Sequence, residues 1–341
     1  MEILRRPTSR NREQRLTVGV VTTQPRVCIG VPVYNGGSLF ADMVESLLAQ
    51  TFTDFEIFIA DNGSTDDTGE IGRRFAERDG RVHYYRNATN LGSSANFNRA
   101  FELAGACTYF KWSAHDDLYK PTFLERCVEV LESEPDVVLA HTIVDVVDET
   151  DGQLLAQHLD YKFGRLDSHI DEKGRPVWMM GPLHLAETEE PATRYDEFLN
   201  RMIACFPLFG LIRANALQGV TLRPYFGADR TLLAELVLKG RFRQVDERLY
   251  TNRYHKSISR LLPKKQQQAW IGGTGKGLSA RRLQQIDLLR VPFQAELRAA
   301  DRWRCFGVAA RHIARREVGR VVRSLSPSLV SIAFGLAGEA A

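Results

Sequence analysis

Nowhere in its 341 residues does the sequence reach the ~18 consecutive apolar residues that a membrane-spanning helix needs, so contact with a membrane surface is open to the chain but a helical crossing is not. Cysteine is sparse. Cys28, Cys107, Cys127, Cys205 and Cys305 are odd in number, scattered, and never arranged as Cys-x-x-Cys. That distribution speaks against a disulfide framework or a zinc cluster and favours a reducing, cytoplasmic compartment. Residues 1–24 hold Arg5, Arg6, Arg10, Arg12 and Arg15 but lack an apolar core followed by a small-residue cleavage site. They read as a flexible basic leader, not as a signal peptide. The formal net charge of +3 is too small for this length to suggest a nucleic-acid partner. Internal repeats and low-complexity tracts are also missing.

What is present is ample apolar material, 44% of residues, enough for a large buried core. From Val27 onward, short apolar runs alternate with segments of helical period, the pattern of parallel strands joined by crossover helices. Strands are predicted at Val27–Val31, Phe55–Ala60, Val82–Tyr85, Thr108–Trp112 and Val137–Ala140. Helices are predicted from near Ser38, from Asp66 to Arg78 with Ser64 or Thr65 as cap, from Ser94 to Ala104, and after Pro121. The charged stretch Tyr161 to Pro191 has no clear period and reads as a loop or lid. Helical pattern returns at Tyr195–Cys205 and Asp229–Lys239, a strand follows near Phe242–Tyr250, and residues beyond 260 look mostly helical. The expected organisation is a leader (1–24), a mixed α/β domain (25–260) and a helical C-terminal region (261–341).

In an open parallel sheet, ligands bind beyond the carboxyl ends of strands. Four such ends are polar here: Pro32-Val33-Tyr34-Asn35, Asp61-Asn62-Gly63-Ser64-Thr65-Asp66, Asn90-Leu91-Gly92, and Ser113-Ala114-His115-Asp116-Asp117. Asp61 can accept a hydrogen bond from a nucleobase NH, although Asp-Asn-Gly-Ser is equally ordinary turn chemistry. Asp116 and Asp117 can bind a hard cation that also holds a diphosphate, although an acidic pair before a helix is also what the helix dipole favours. Asp229 opens a helix and can serve as a general base or simply as its N-cap.

The ordered set, an apolar strand, Pro-x-Tyr-Asn, a helix, a strand ending in Asp-Asn-Gly-Ser-Thr-Asp, Asn-Leu-Gly, and then Asp-Asp, resembles the family 2 glycosyltransferases of GT-A fold over about Val27 to His255. The resemblance implies an inverting transfer from a nucleotide-diphosphate sugar, UDP-sugar favoured, to a glycan or lipid-linked hydroxyl acceptor in cell-surface polysaccharide or glycolipid synthesis. It implies Pro32, Tyr34, Asn35, Asp61, Asn98 in Asn-Phe-Asn-Arg, and Asp116 as donor-binding residues, with Asp116 on the ribose. It further implies Asp117 as metal ligand, Asp229 as catalytic base, and Mn²⁺ or Mg²⁺ as cofactor. Ala114 and His115 stand where a further aspartate is common, and Ala228 replaces an acidic neighbour of Asp229. Arg253-Tyr254-His255 resembles the Arg-x-His segment of these enzymes. His255 as a ligand favours Mn²⁺, since imidazole suits it better than Mg²⁺. Trp178 and Phe206 are candidates for stacking on a sugar ring, against the commoner role of core aromatics.

Two other readings compete. A sugar-phosphate nucleotidyltransferase would need a basic Gly-rich loop after the first strand, which Pro32-Val33-Tyr34-Asn35-Gly36-Gly37 does not supply. A non-catalytic nucleotide- or glycan-binding module is suggested by Ala114, His115 and Ala228. Finally, residues 281–341 carry eleven arginines against five acidic residues. Arg304, Arg311, Arg315 and Arg323 alternate there with Trp303, Phe306, Val308, Ile313, Val318 and Val321. A helix of that kind either lies on an anionic membrane, here the inner face of the cell membrane, or packs on the catalytic domain or a second subunit.

Overall fold

The computed structural model describes residues 24–149, 167–171, 175–180, 184–202, 204–256, 258–272 and 277–325. The leader expected at 1–24 falls, but for its last residue, outside the described residues, as do residues 326–341 and the side chains of Val321 and Arg323. Ten strands form one mixed sheet in the order β3-β2-β1-β4-β9-β6-β10-β5, and a β7-β8 hairpin is added to β6.

The first strand, β1 (Val27–Val33), is buried at all seven positions, as its unbroken apolar run requires of a central parallel strand. It pairs in parallel with β2 (Phe55–Asp61) and β4 (Tyr109–Trp112), and β2 pairs in parallel with β3 (Val82–Arg86). The crossovers are α1 (Gly37–Leu48), α2 (Thr68–Arg78) and α3 (Ser93–Ala104). In α1 the buried residues Phe40, Met43, Val44 and Leu47 recur at i, i+3, i+4 and i+7, one helical face on the sheet. The second helix starts later than predicted, because the polar groups ahead of it are used elsewhere. Thr68 Oγ1 accepts from Gly36 N at 2.8 Å, and Ser64 Oγ accepts from Asn35 N at 3.0 Å. These bonds lace the first strand-end loop to the second.

After β5 (Leu118–Tyr119) and α4 (Phe123–Ser133) comes β6 (Val137–Asp148), three times the length of the apolar run that signalled it. Its polar residues His141, Thr142, Asp145 and Asp148 are buried with the apolar ones. The stretch expected to be an irregular loop or lid contains the antiparallel hairpin β7 (Asp167–Ile170) and β8 (Pro176–Met180). Strands of four and five residues are too short to show a period, and pairing of β8 with Val144–Val147 holds them in place. Trp178 lies in β8, and its side chain is outside the described residues.

The chain continues through α5 (Pro191–Arg201), a short 3-10 turn at Phe206–Phe209, β9 (Leu211–Arg213), α6 (Ala228–Lys239) and β10 (Arg241–Tyr254). The last helices are α7 (Lys264–Ile271), α8 (Ala280–Gln294) and α9 (Ala299–Leu325). Two apolar clusters form. One includes α1, α2 and α4 residues; the other joins Cys28, Phe110 and Trp112 of the sheet with α5, α6 and Leu288, Val291, Cys305, Val308 and Ala309 of α8 and α9. The C-terminal region is helical as expected, and it shares a core with the sheet. Among the described residues no helix is long and apolar enough to cross a membrane.

Candidate active site

The polar strand ends converge as two linked clusters. In the first, Asp61 at the end of β2 is fully buried. Its Oδ1 accepts from Ser64 N at 2.8 Å, and its Oδ2 accepts from Tyr84 OH at 2.5 Å and Arg86 Nη1 at 3.1 Å. A buried carboxylate needs partners of this kind. Tyr84 and Arg86 share one face of β3, and the Tyr84 ring fits because α2 has glycine at position 72, where an added Cβ would stand 2.4 Å from it. Neither residue was singled out in the sequence; their i, i+2 spacing on a strand beside Asp61 was the available signal.

Beside Asp61, four asparagines form a net that the sequence also left unread. Asn62 Oδ1 accepts from Leu91 N at 2.9 Å and Asn87 Nδ2 at 3.1 Å, while Asn62 Nδ2 donates to Asn90 Oδ1 at 3.0 Å. Asn87 Nδ2 also donates to Asn96 Oδ1, and Asn96 Nδ2 to Ala60 O at 2.8 Å. The net fixes the Asn90-Leu91-Gly92 turn at the sheet edge. Asn35, at φ 51°, uses its Oδ1 to accept from Thr65 N at 2.8 Å. Asparagine tolerates that left-handed backbone better than most residues. Pro32 is buried opposite Ala60, and Tyr34 remains 39% exposed, free to meet a ring from solvent.

The second cluster surrounds Asp116 and Asp117. Asp117 is buried, and its Oδ2 accepts from Tyr250 OH while its Oδ1 accepts from Asn252 Nδ2 at 2.9 Å and Arg253 N at 3.1 Å. Burial, and then the neighbouring Asp116 charge, push the Asp117 carboxyl up to about 8, against the pull of those donors. Asp116 Oδ2 lies 2.9 Å from His255 Nε2. Burial works to raise the Asp116 carboxyl, but His115 and then His255 outweigh it and hold it below the ordinary range. Asp117, expected as the metal ligand, thus has both oxygens engaged by protein donors, while Asp116, expected on the ribose, meets His255. His115 supports Asp116 electrostatically, and its ring lies against Gly36, where an added Cβ would be 3.1 Å from it.

Arg253 binds this cluster to the first loop. It is 3% exposed, and its Nε donates to Asp116 O, its Nη1 to Asp42 Oδ2 at 2.9 Å and its Nη2 to Leu39 O at 2.6 Å. Arg253→Met keeps the length and loses all three bonds, so the unfolding free energy should fall by about 3 kcal/mol. Urea denaturation measures this, and a loss below ~0.5 kcal/mol, the range of an inert surface change, would remove Arg253 from the framework. Deeper still, the buried Lys111 ammonium sits 3.7 Å from the Tyr119 ring centroid, and burial lowers its pKa to about 7.

Two expected residues lie apart from these clusters. Asn98 bonds the main chain of Leu222, donating to its O at 3.0 Å and accepting from its N at 2.8 Å, so its amide pins α3 to the segment before α6. Asp229 stands half-buried in the first turn of α6, after left-handed Gly227 at φ 90°. The helix N-cap is Gly227, and Asp229 Oδ1 accepts only from Arg230 N, at 2.9 Å, among the described residues. The Arg230 guanidinium turns away to the carbonyls of Leu199 and Met202. Phe206 packs edge-on to Tyr250, a core contact, 6.1 Å between centroids.

Comparison with known proteins adds a name to this arrangement. Residues 28–186 match the family model described as glycosyl transferase family 2. Over these residues, a little under half of the chain, the sequence is similar to glycosyltransferase family 2. An uncharacterized glycosyltransferase of Rickettsia typhi is 28% identical over 145 residues, 42% of this chain and 44% of its own length. Glycosyltransferase GlyG of Streptococcus pneumoniae is 32% identical over 127 residues, 37% of this chain and 41% of its own. The chain thus spans less than half the length of these curated relatives. Residues 1–349 of S. aureus TarS in complex with UDP superimpose with a TM-score of 0.54 at 15% identity, over 85% of this chain and 72% of that one. At that identity the likeness concerns the fold, and the family 2 segment sits in the GT-A fold, a mixed sheet flanked by helices.

Proposed function

We propose that the protein transfers a sugar, with inversion, from a nucleotide-diphosphate sugar to a hydroxyl acceptor in the assembly of a cell-surface polysaccharide or glycolipid. The observation that carries this reading is the contrast between the two aspartates: one sealed by Tyr250, Asn252 and Arg253, the other left with His255 at the mouth of the acidic turn. A UDP-sugar is the favoured donor, in keeping with the fold likeness to TarS, which is known in complex with UDP and with UDP-GlcNAc. Tyr34 is exposed for the base, and Asp61, Asn35 and Pro32 shape the loop beneath it.

A divalent cation fits the spacing of Asp116 and His255. Two adjacent ligands of an octahedral ion with bonds near 2.1 Å stand about 3 Å apart, and Asp116 Oδ2 and His255 Nε2 are separated by 2.9 Å. Among the described residues no third His, Cys, Asp or Glu joins them, so diphosphate and water would complete the shell. Imidazole makes Mn²⁺ the better choice over Mg²⁺. When bound, the cation supplies charge neutralisation to the departing diphosphate. Asp229, with one oxygen uncommitted, is the base that takes the acceptor proton.

Calorimetry of the whole chain with UDP, with and without Mn²⁺, tests the reading together with product analysis of UDP-sugar turnover. Mn²⁺-dependent UDP binding and release of UDP from the sugar are expected. Binding without hydrolysis or transfer to any acceptor would instead make the protein a nucleotide-binding module.

A further inference from the structure

The long last helix α9 has two apolar faces, and the protein uses only one. Asp301, Cys305, Val308, Ala309 and His312 are buried against the rest of the molecule. On the opposite side Trp303, Gly307, Ala310, Ala314 and Val318 recur at i, i+4, i+7, i+11 and i+15, a single line along the helix. A helix docked by one face ordinarily turns its charges outward along that line. Here the line carries none, and Trp303 and Val318 are each 62% exposed.

The charges sit on its border. Arg304, Arg311 and Arg315, at i, i+7 and i+11, flank the apolar line and are all exposed. From 302 to 316 the helix has arginine at five positions, the other two being 302 and 316, and no acidic residue. Arg311 and Arg315 make no ion pair among the described residues, and Arg304 reaches Glu190 and Asp301 only at 3.9 Å. At the start of the line Trp303 is braced edge-on by Phe293 and Phe306, with centroids 5.3 and 5.7 Å away, and Phe293 is itself 45% exposed. The braced indole is held out toward solvent instead of folding back onto the helix.

We infer that this face of α9 seats the protein on an anionic lipid bilayer, with Trp303 at the headgroup boundary and Arg304, Arg311 and Arg315 on lipid phosphates. An interfacial helix combines these features: an apolar line, an aromatic anchor with a polar N–H, and cations whose apolar stems lie along the surface while their heads reach phosphate. The arginine row decides between occupants. A second copy packed through the same patch would set one row of arginines, with Arg311 and Arg315 unpaired among the described residues, against another in a self-complementary contact, which like charges disfavour. A lipid surface of negative potential neutralises the row. The inference is independent of the sugar-transfer reading.

Flotation of the full chain with vesicles of phosphatidylcholine alone, or of phosphatidylcholine with phosphatidylglycerol, tests it. Binding should require phosphatidylglycerol and weaken with salt, with a blue shift of tryptophan emission. Trp303→Phe should keep the binding and lose the shift. Replacing Arg304, Arg311 and Arg315 together with Ser should weaken binding on the order of 10²-fold, about fivefold per arginine, with the melting temperature unchanged because all three are exposed. Equal binding to both vesicle types, or full binding by the triple variant, would overturn the inference. So would a concentration-dependent dimer in sedimentation velocity that Trp303→Ser abolishes, since the face would then belong to a second copy.

Discussion

Asp116→Asn should lower kcat for sugar transfer by about 10²- to 10³-fold and remove the Mn²⁺ dependence of UDP binding, with little change in melting temperature. The amide is nearly isosteric, and among the described residues the Asp116 carboxylate bonds to the side chain of His255 alone. What disappears is the negative charge that His115 and His255 keep ionised. The matched variant Asp117→Asn should behave differently. Its carboxyl is raised to about 8, so near neutrality the group is largely neutral already, and an amide can still accept from Asn252 and Arg253. A loss of tenfold or less is expected there, roughly the scale of one hydrogen bond. Steady-state kinetics on both variants decide the matter: if Asp117→Asn abolishes Mn²⁺ dependence and Asp116→Asn retains it, the ligand is Asp117 as the sequence alone suggested.

Asp229→Asn should cost about 10²- to 10⁴-fold in kcat, the usual scale for loss of a positioned base, while leaving KM for the donor nearly unchanged. Gly227 occupies the N-cap position and Asp229 bonds only to Arg230 N among the described residues, so the fold does not depend on its charge. Donor hydrolysis by water, measured alongside transfer, adds a second readout. Transfer that survives the substitution would assign the acceptor proton to another group and reduce Asp229 to a first-turn acid favoured by the helix dipole.

Much of the donor half was legible because its signals are local. The run Val27–Val33 is continuously apolar, Phe55–Ala60 is apolar but for Glu56, and both stop at polar residues, which both marks central parallel strands and places Asn35 and Asp61 at their ends. The partners of Asp117 were not legible, because they come from far away in the chain. Tyr250 and Asn252, on one face of β10, claim Asp117 from 133 and 135 residues downstream, and no local pattern announces such a pairing. Arg253 was noticed only as part of a motif, although it holds α1 and the acidic turn together. Length misled at β6, where buried His141, Thr142 and Asp145 interrupt the apolar run without ending the strand. Along α9 the sequence marked Trp303 and Val318 but not the residues between them, because Gly307, Ala310 and Ala314 carry little hydrophobic signal and only their position away from the core gives them meaning.

The shared core has a consequence for how the molecule comes into being. Cys28 at the start of β1 and Ala309 in α9 belong to the same buried cluster. A chain growing from its N-terminus can form β1, β2 and the helices on both sides of them early, α3 covering the face that holds Cys28, yet the apolar sides of α5 and α6 that join the same cluster stay uncovered until α8 and α9 have been synthesised. The segment that carries the family 2 signature is therefore not its own folding unit, and proteolysis between α7 and α8 should release no stable N-terminal fragment. Evolution, on the same grounds, cannot discard the last helices without laying bare the apolar sides of α5 and α6.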